Sequence, residues 1–394
     1  MLLLIFLCKS CNTTTDCVGS HAAVHIDIIR SIDIPLDGEQ YTHITPAVFE
    51  ENGTLMLAGL DPLKNGIDLF DLDQQKHVRS ISLMAEGPDA VVDPSALYVH
   101  NLDSMFLLND VNQFYLVDQK GVKIKEWNFD LLLPDTLLLK FPQLTGDVIV
   151  AAYGRSDYLN LPFVFEPSSK SLIARILILN TLKGSEEYAS LYQTPNMVQI
   201  DLKTGKLRSL YGVYPPEFMN DPRPHNPFSH FTYFNGDTWV QFDSSGKIYS
   251  SRSNLFLCAA SHYATGQISM FSGENVEEAK ELRAYHTDEA YLGIYFDPIV
   301  NCIYRVFQHG QPDKNTKGNL LEKLQAPFSI LIMKPSGEVV GEAMFEKEKY
   351  NFLDIFVTRQ GLLISKENPF NPSNQEEKYS FDLIKFDLQN TQTK

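Results

Sequence analysis

The sequence predicts an all-β fold: a six-bladed β-propeller closed by an N-terminal strand, with a partly helical insertion in its third blade. Three observations predict it. Six times a short run of alternating apolar residues meets a polar turn and resumes as a second such run. Helical patterns are nearly absent outside the insertions, and the strand-rich units recur every 40 to 60 residues or so, the spacing expected of a repeated sheet rather than of a two-sheet sandwich. In four of the turns the second run is preceded by Gly121, Gly205, Gly266 or Gly337. Glycine tolerates the positive φ that a tight reversal needs.

The paired runs are residues 67–72 into 78–83, 114–118 into 122–127, and 198–201 into 206–211. Less regular pairs are 254–258 into 267–271 and 329–333 into 339–345, and residues 379–388 close the series. Residues 24–36 alternate well enough for a first strand, which the reading pairs with residues 381–388 of the last blade. That pairing removes an exposed sheet edge and ties the two ends together. Blade one covers residues 40–84 and blade two residues 90–130. Blade three starts at 146 but reaches its third strand only near Met197, and the insertion 154–195 is read with a helix around 172–192. Blade four spans 232–285, with a short acidic helix at 274–283. Blade five spans 291–345 around a polar loop at 310–320, and blade six spans 351–388 around a Pro/Asn-rich loop at 368–374. The domain division is 1–11 as a signal segment, 12–23 as a flexible tether and 24–390 as one propeller.

At 394 residues and 44% hydrophobic content the chain can bury a large core. Its formal charge of −16, with no basic block, excludes unassisted binding to a phosphate backbone, so no nucleic acid is expected as a partner. Residues 1–7 are apolar but too short to span a bilayer, and beyond residue 20 no apolar run approaches that length. The start resembles a bacterial lipoprotein signal, with the small residue Ser10 before Cys11. That resemblance makes Cys11 the lipidation site and the cell envelope, at the outer membrane, the address; Lys9 departs from the usual pattern. The remaining cysteines are too few for a disulfide framework and lack zinc spacing. Cys258 and Cys302 are read as buried free thiols of neighbouring blades, a disulfide between them being the alternative.

No G-x-S-x-G elbow, H-E-x-x-H, Gly-rich phosphate loop or calcium loop is present, so no catalytic residue, metal or cofactor is assigned. His43, His100, His262 and His286 are scattered without ligand spacing. Propeller geometry still brings scattered strand ends together. Loops leaving each blade's second strand share a face with the connections between blades, and reading them off gives Asp61, Asp110, Arg155, Arg252, His309 and Lys366, with Arg305 slightly earlier. On the same face lies the connection 214–230, whose five prolines pre-set the backbone around Arg223, His225 and His230. The ligand-binding candidates are therefore Arg155, Arg223, His225, His230, Arg252, Arg305 and His309, cations suited to a carboxylate or acidic sugar. The bland alternative is a rim of solvated ion pairs.

Residues 86–127, with Tyr98-Val-His-Asn-Leu-Asp-Ser-Met-Phe106 at their centre, show a Gly-Pro turn, a later Pro, a strand ending in Asp and an Asp-x-x-Gly turn. This stretch resembles the DUF4221 propeller lipoproteins of Bacteroidota, related in look to TolB-like six-bladed propellers. The resemblance implies an exported lipoprotein with no assigned activity. The expected function is a non-enzymatic scaffold, attached to a membrane by lipid, that presents one face to a protein, glycan or small anionic ligand. The alternative is a hydrolase or lyase acting on carbohydrate or peptide at the propeller mouth. It would use His225 or His230 as general base and Arg155 or Arg252 on the substrate anion, and it needs one of those histidines within hydrogen-bond reach of a second titratable group.

Overall fold

A computed structural model of the chain describes residues 17, 21–36, 44–109, 113–128, 148–152, 163–180, 192–212, 214–220, 229–253, 255–265, 286–374 and 377–388. Strand β1 (His25–Pro35) comes first, and the chain then builds its blades in order. Blade one is β2 (Ile44–Glu51), β3 (Thr54–Asp61), β4 (Gly66–Asp71) and β5 (Lys76–Ser82). Blade two is β6 (Pro94–Asn101), β7 (Ser104–Asn109), β8 (Gln113–Val117) and β9 (Lys123–Asn128). Blade three contains β10 (Val148–Ala152), β11 (Phe163–Glu166), β12 (Ser171–Asn180), β13 (Met197–Asp201) and β14 (Lys206–Tyr211). A five-residue helix, α1 (Pro216–Asn220), leads to blade four. That blade is β15 (Ser229–Phe234), β16 (Asp237–Phe242), β17 (Lys247–Ser250) and β18 (Phe256–Cys258). Blade five is β19 (Ala290–Asp297), β20 (Cys302–Gln308), β21 (Phe328–Met333) and β22 (Val339–Phe345). Blade six is β23 (Asn351–Thr358), β24 (Gly361–Ser365) and β25 (Lys378–Asp387), with β1 as its fourth strand.

Every sheet is antiparallel and ordered outward from its first strand. The first strands form the ring: β2 packs against β6 and β23, and β19 against β15 and β23. Burial follows position. Strands in the middle of a blade have both faces covered by neighbouring blades, so β4, β20 and β21 are buried at every residue, the few polar ones such as Asp68, Arg305 and Ser329 included. The outermost β5 and β9 alternate, one side on the blade and one in water. Among the described residues an apolar cluster lies between each pair of neighbouring blades. Ile32 and Ile34 of β1, for example, pack with Leu363 and Phe381 of blade six and with Leu57 and Phe70 of blade one. Each such side chain contributes about 1.5–3 kcal/mol when fully buried. Gly121, with φ +77°, makes the turn before β9 against blade one; a Cβ there would collide with the Ser82 carbonyl.

Two expectations need correction. The helix read around residues 172–192 is β12 over residues 171–180, and residues 181–191 lie outside the described residues. The reason is packing: Leu172, Ile173, Ala174 and Ile176 are all buried, so this apolar stretch has two covered faces, and its β-branched isoleucines suit a pleated surface. The short helix expected at 274–283 lies outside the described residues. Cys258 is not a free thiol: it forms a disulfide with Cys17, while Cys302 is buried and free.

That disulfide begins a strap. The His21 ring Nε2 lies 2.8 Å from the Ala260 carbonyl, the Glu342 N–H donates to Ala22 O and the Val24 N–H donates to Glu342 O, both at 3.0 Å. Residues 17 and 21–23, read from the sequence as tether, are thus fixed with Val24 along the outer edges of blades four and five before β1 joins blade six. Among the described residues no helix is long and apolar enough to cross a membrane.

Candidate functional site

In each blade the turn after the second strand and the link to the next blade lie on one face, the mouth. Asp61 ends β3, Asp243 follows β16, His309 follows β20 and Lys366 follows β24. Asp110, Arg155, Arg223 and His225 lie outside the described residues. Arg252 does not belong to the mouth. It follows β17, a third strand, so topology puts it at the opposite end of blade four, where its guanidinium sits 5.8 Å from the centre of the Tyr211 ring.

Arg305 is not offered to a ligand either. It is 0% exposed, and its guanidinium donates to Gln241 Oε1 at 2.8 Å, Ala259 O at 2.6 Å, Ser245 O, and Lys247 O at 3.3 Å. It also lies 3.5 Å over the Tyr291 ring. Burial lowers its pKa to about 10, so it stays charged at neutral pH. The residue clamps β20 of blade five onto three segments of blade four. Asp61 is committed as well: its carboxylate accepts from the Leu63 and Lys64 N–H groups and caps the turn between β3 and β4.

His309 is half-buried, with Nε2 3.0 Å from Ser329 Oγ, and burial lowers its pKa to about 4. It is neutral near pH 7 and supplies no positive charge to an anion. Ser329 donates onward to the buried Glu342, which also accepts from Ser261 Oγ and the His262 N–H.

His230 opens β15 and meets Asp243, with Nε2 3.2 Å from Oδ1. Burial lowers the His230 pKa, and the Asp243 carboxylate opposes that shift. Lys323, in the short 3₁₀ turn Lys323–Gln325 of blade five, is also buried, which pulls its ammonium down to about 7 against the attraction of Asp243. Arg175 of β12 donates to Ser229 O beside them. The arrangement can hold a neutral imidazole in one orientation, as acid–base work requires. His230 is only 5% exposed, however, and so is sealed from bulk solvent.

An open cavity on this face lies at blade six. It has a volume of about 530 Å³ and is lined by Lys347 and Lys349 from the link between blades five and six, by Lys366 and Lys378, and by Asn371 and Asn374. Each ammonium has a carboxylate neighbour: Glu348 at 3.4 Å, Glu346 at 3.3 Å, Asp382 at 3.3 Å and Asp33 at 3.1 Å, respectively. Asn371 is pinned by donating to Lys349 O, and its Oδ1 accepts from the Ser373 N–H. Burial raises the neighbouring Glu367 carboxyl to about 7, and it accepts from the Ser380 N–H at 2.7 Å. Of these groups the sequence had offered only Lys366. The other lysines come from two separate places, Lys347 and Lys349 from the link before β23 and Lys378 from the start of β25, and no local spacing joins them to Lys366.

Asp354, on the innermost strand β23, accepts from Asn351 Nδ2 at 2.8 Å and is raised by burial to about 6. A carboxyl whose folded pKa exceeds its unfolded value of about 3.9 favours the protonated fold. That stabilisation is complete at low pH and is lost as pH rises through 6. Asp354→Asn should therefore be near neutral at pH 4 and stabilise by about 3 kcal/mol at pH 8 in urea unfolding. An equal effect at both pH values would contradict the assignment.

The described residues contain no group of three or more His, Cys, Asp or Glu side chains placed to hold a metal. Among functionally curated proteins none matches the chain significantly. A crystal structure of a DUF4221 family member from Bacteroides vulgatus superposes with a TM-score of 0.71 at 20% identity, covering 93% of this chain and 99% of that one. A protein of Bacteroides fragilis described as exported aligns with a TM-score of 0.48 at 10% identity, over 91% of this chain and 95% of that one. The model of the domain of unknown function DUF4221 matches residues 47–344, three quarters of the sequence, and the chain belongs to that family.

Proposed function

We propose that this chain is an exported propeller, attached through a lipid on Cys11 to the outer membrane of the cell envelope, that binds a small anionic ligand without transforming it. One observation carries the ligand reading: in a chain of formal charge −16, four lysine ammonium groups outnumber the two carboxylates, Glu346 and Glu348, that share with them and two asparagine amides the lining of one cavity on the mouth face. A carboxylate or acidic sugar fits that lining, because lysine offers point charges and the asparagine amides can bond hydroxyls. The Cys17–Cys258 disulfide supports export, since such bonds persist in oxidising compartments. Arg252 and Arg305 drop out of the ligand set for the reasons of position and burial given above. Calorimetric titration with uronic and other acidic sugars tests the reading. Lys349→Gln and Lys378→Gln should each weaken binding roughly tenfold, the size of one lost charge contact, while Lys125→Gln on blade two changes nothing. Unchanged affinity in both cavity variants would remove the proposal.

A second reading has its own observation, the 3.2 Å contact between His230 and Asp243. In a hydrolase or lyase His230 would act as general base, oriented by Asp243, once the mouth opened to admit substrate. Turnover of glycoside or peptide substrates that drops at least about a hundredfold in His230→Gln would favour it.

A further inference from the structure

The strap and the leader together fix which side of the ring meets the membrane. Cys11 lies six residues before Cys17. At about 3.5 Å per residue, a lipid on Cys11 can stand no more than about 21 Å from Cys17. Cys17 is bonded to Cys258 at the end of β18, the outermost strand of blade four. The anchor therefore hangs from blade four, although the chain makes its first full strand in blade six.

The edge held there has an unusual surface. Leu255 and Phe256, at the start of β18, are 66% and 48% exposed. The Lys247 ammonium lies 4.7 Å from the centre of the Phe256 ring, with Glu217 as its ion partner, and Arg252 is exposed in the turn just before. An aliphatic and an aromatic side chain flanked by cations whose stems can lie along them is the composition of a segment that settles at the headgroup boundary. Similar exposed pairs occur on other outer strands, Ile28 with Ile29 and Val122 with Ile124. No leash holds those at a bilayer.

We propose that the outer edge of blade four is a membrane-docking surface, with Leu255 and Phe256 entering the headgroup region of the bilayer that holds the acyl chain. This rests on the lipid-anchor part of the proposed function. The short leash makes even weak insertion persistent, because it keeps the edge within reach of the surface at high effective concentration. The ring then stands edge-on, and its mouth opens parallel to the membrane rather than into it.

The test uses the lipidated full-length chain in vesicles of phosphatidylethanolamine and phosphatidylglycerol, with part of the phospholipid brominated in its acyl chains. Phe256→Trp should gain emission, beyond that of the native Trp127 and Trp239, that is blue-shifted and quenched by at least a third. Ile124→Trp should show neither change. A Leu255→Ser, Phe256→Ser double variant should still float with the vesicles but lose the protection of Arg252 against trypsin that the native chain gains there. Floating chains in which the two tryptophan variants are quenched alike, or not at all, overturn the docking surface while leaving the anchor standing. Chains that carry no acyl mass and fail to float overturn the anchor and the docking surface together.

Discussion

Arg305→Ala is expected to lower the stability of the ring by about 3–5 kcal/mol, because it removes a fully buried donor shared by four neutral acceptors. Truncation leaves Gln241 Oε1 and the carbonyls of Ala259, Ser245 and Lys247 without their donor, and it uncovers the Tyr291 ring. Each stranded buried acceptor costs about 1–3 kcal/mol, and partial relaxation keeps the sum below simple addition. Arg305→Lys keeps the charge but cannot span four acceptors, so it should fall between the wild type and the alanine variant. Urea unfolding with an unchanged m-value is the measurement. A loss under about 1 kcal/mol would mean that the guanidinium is not a clamp between blades, and would return it to the list of residues available to a ligand.

The same residue shows where reading the sequence stops. The blades themselves were legible, because the paired runs are hairpins of adjacent strands: residues 114–118 and 122–127 fall on β8 and β9, and 198–201 and 206–211 on β13 and β14. Local alternation and a turn glycine carry that signal without reference to the rest of the chain. The site was legible only where strand counting was right. In blade four the run Asp237-Thr-Trp-Val-Gln-Phe242 is a complete second strand, so the mouth residue is Asp243; without that strand Arg252 is counted to the wrong face. Arg305 was counted correctly, but its acceptors sit 46 to 64 residues away on another blade, and three of the four are main-chain carbonyls that no residue type reveals. The helix expected within the insertion failed for a related reason. A run such as Leu172-Ile-Ala-Arg-Ile-Leu-Ile-Leu179 is apolar at every position but Arg175, and periodicity cannot separate a buried helix from a strand covered on both faces.

The disulfide was the least visible feature of all, since Cys17 and Cys258 are 241 residues apart, and its removal is the second large effect expected. The Cys17→Ser, Cys258→Ser double variant should lose about 2–4 kcal/mol, the usual range, with the chain-entropy estimate for so long a loop somewhat higher. The remainder of the strap, the pairing of Ala22 and Val24 with Glu342 and of β1 with β25, persists without the bond, so the ring should stay closed and unfold earlier rather than open. Wild type in reductant should match the double variant in thermal unfolding, and reductant should leave the double variant unchanged, because among the described residues it has no other disulfide to reduce. If reductant leaves the wild type unmoved, the bond contributes nothing to stability. The same variant bears on membrane orientation. Without the bond the next fixed point is His21, ten residues from Cys11, and the leash lengthens to about 35 Å. Quenching of tryptophan at position 256 should then fall even though the lipid still holds the chain, which separates the contribution of the strap from that of the anchor.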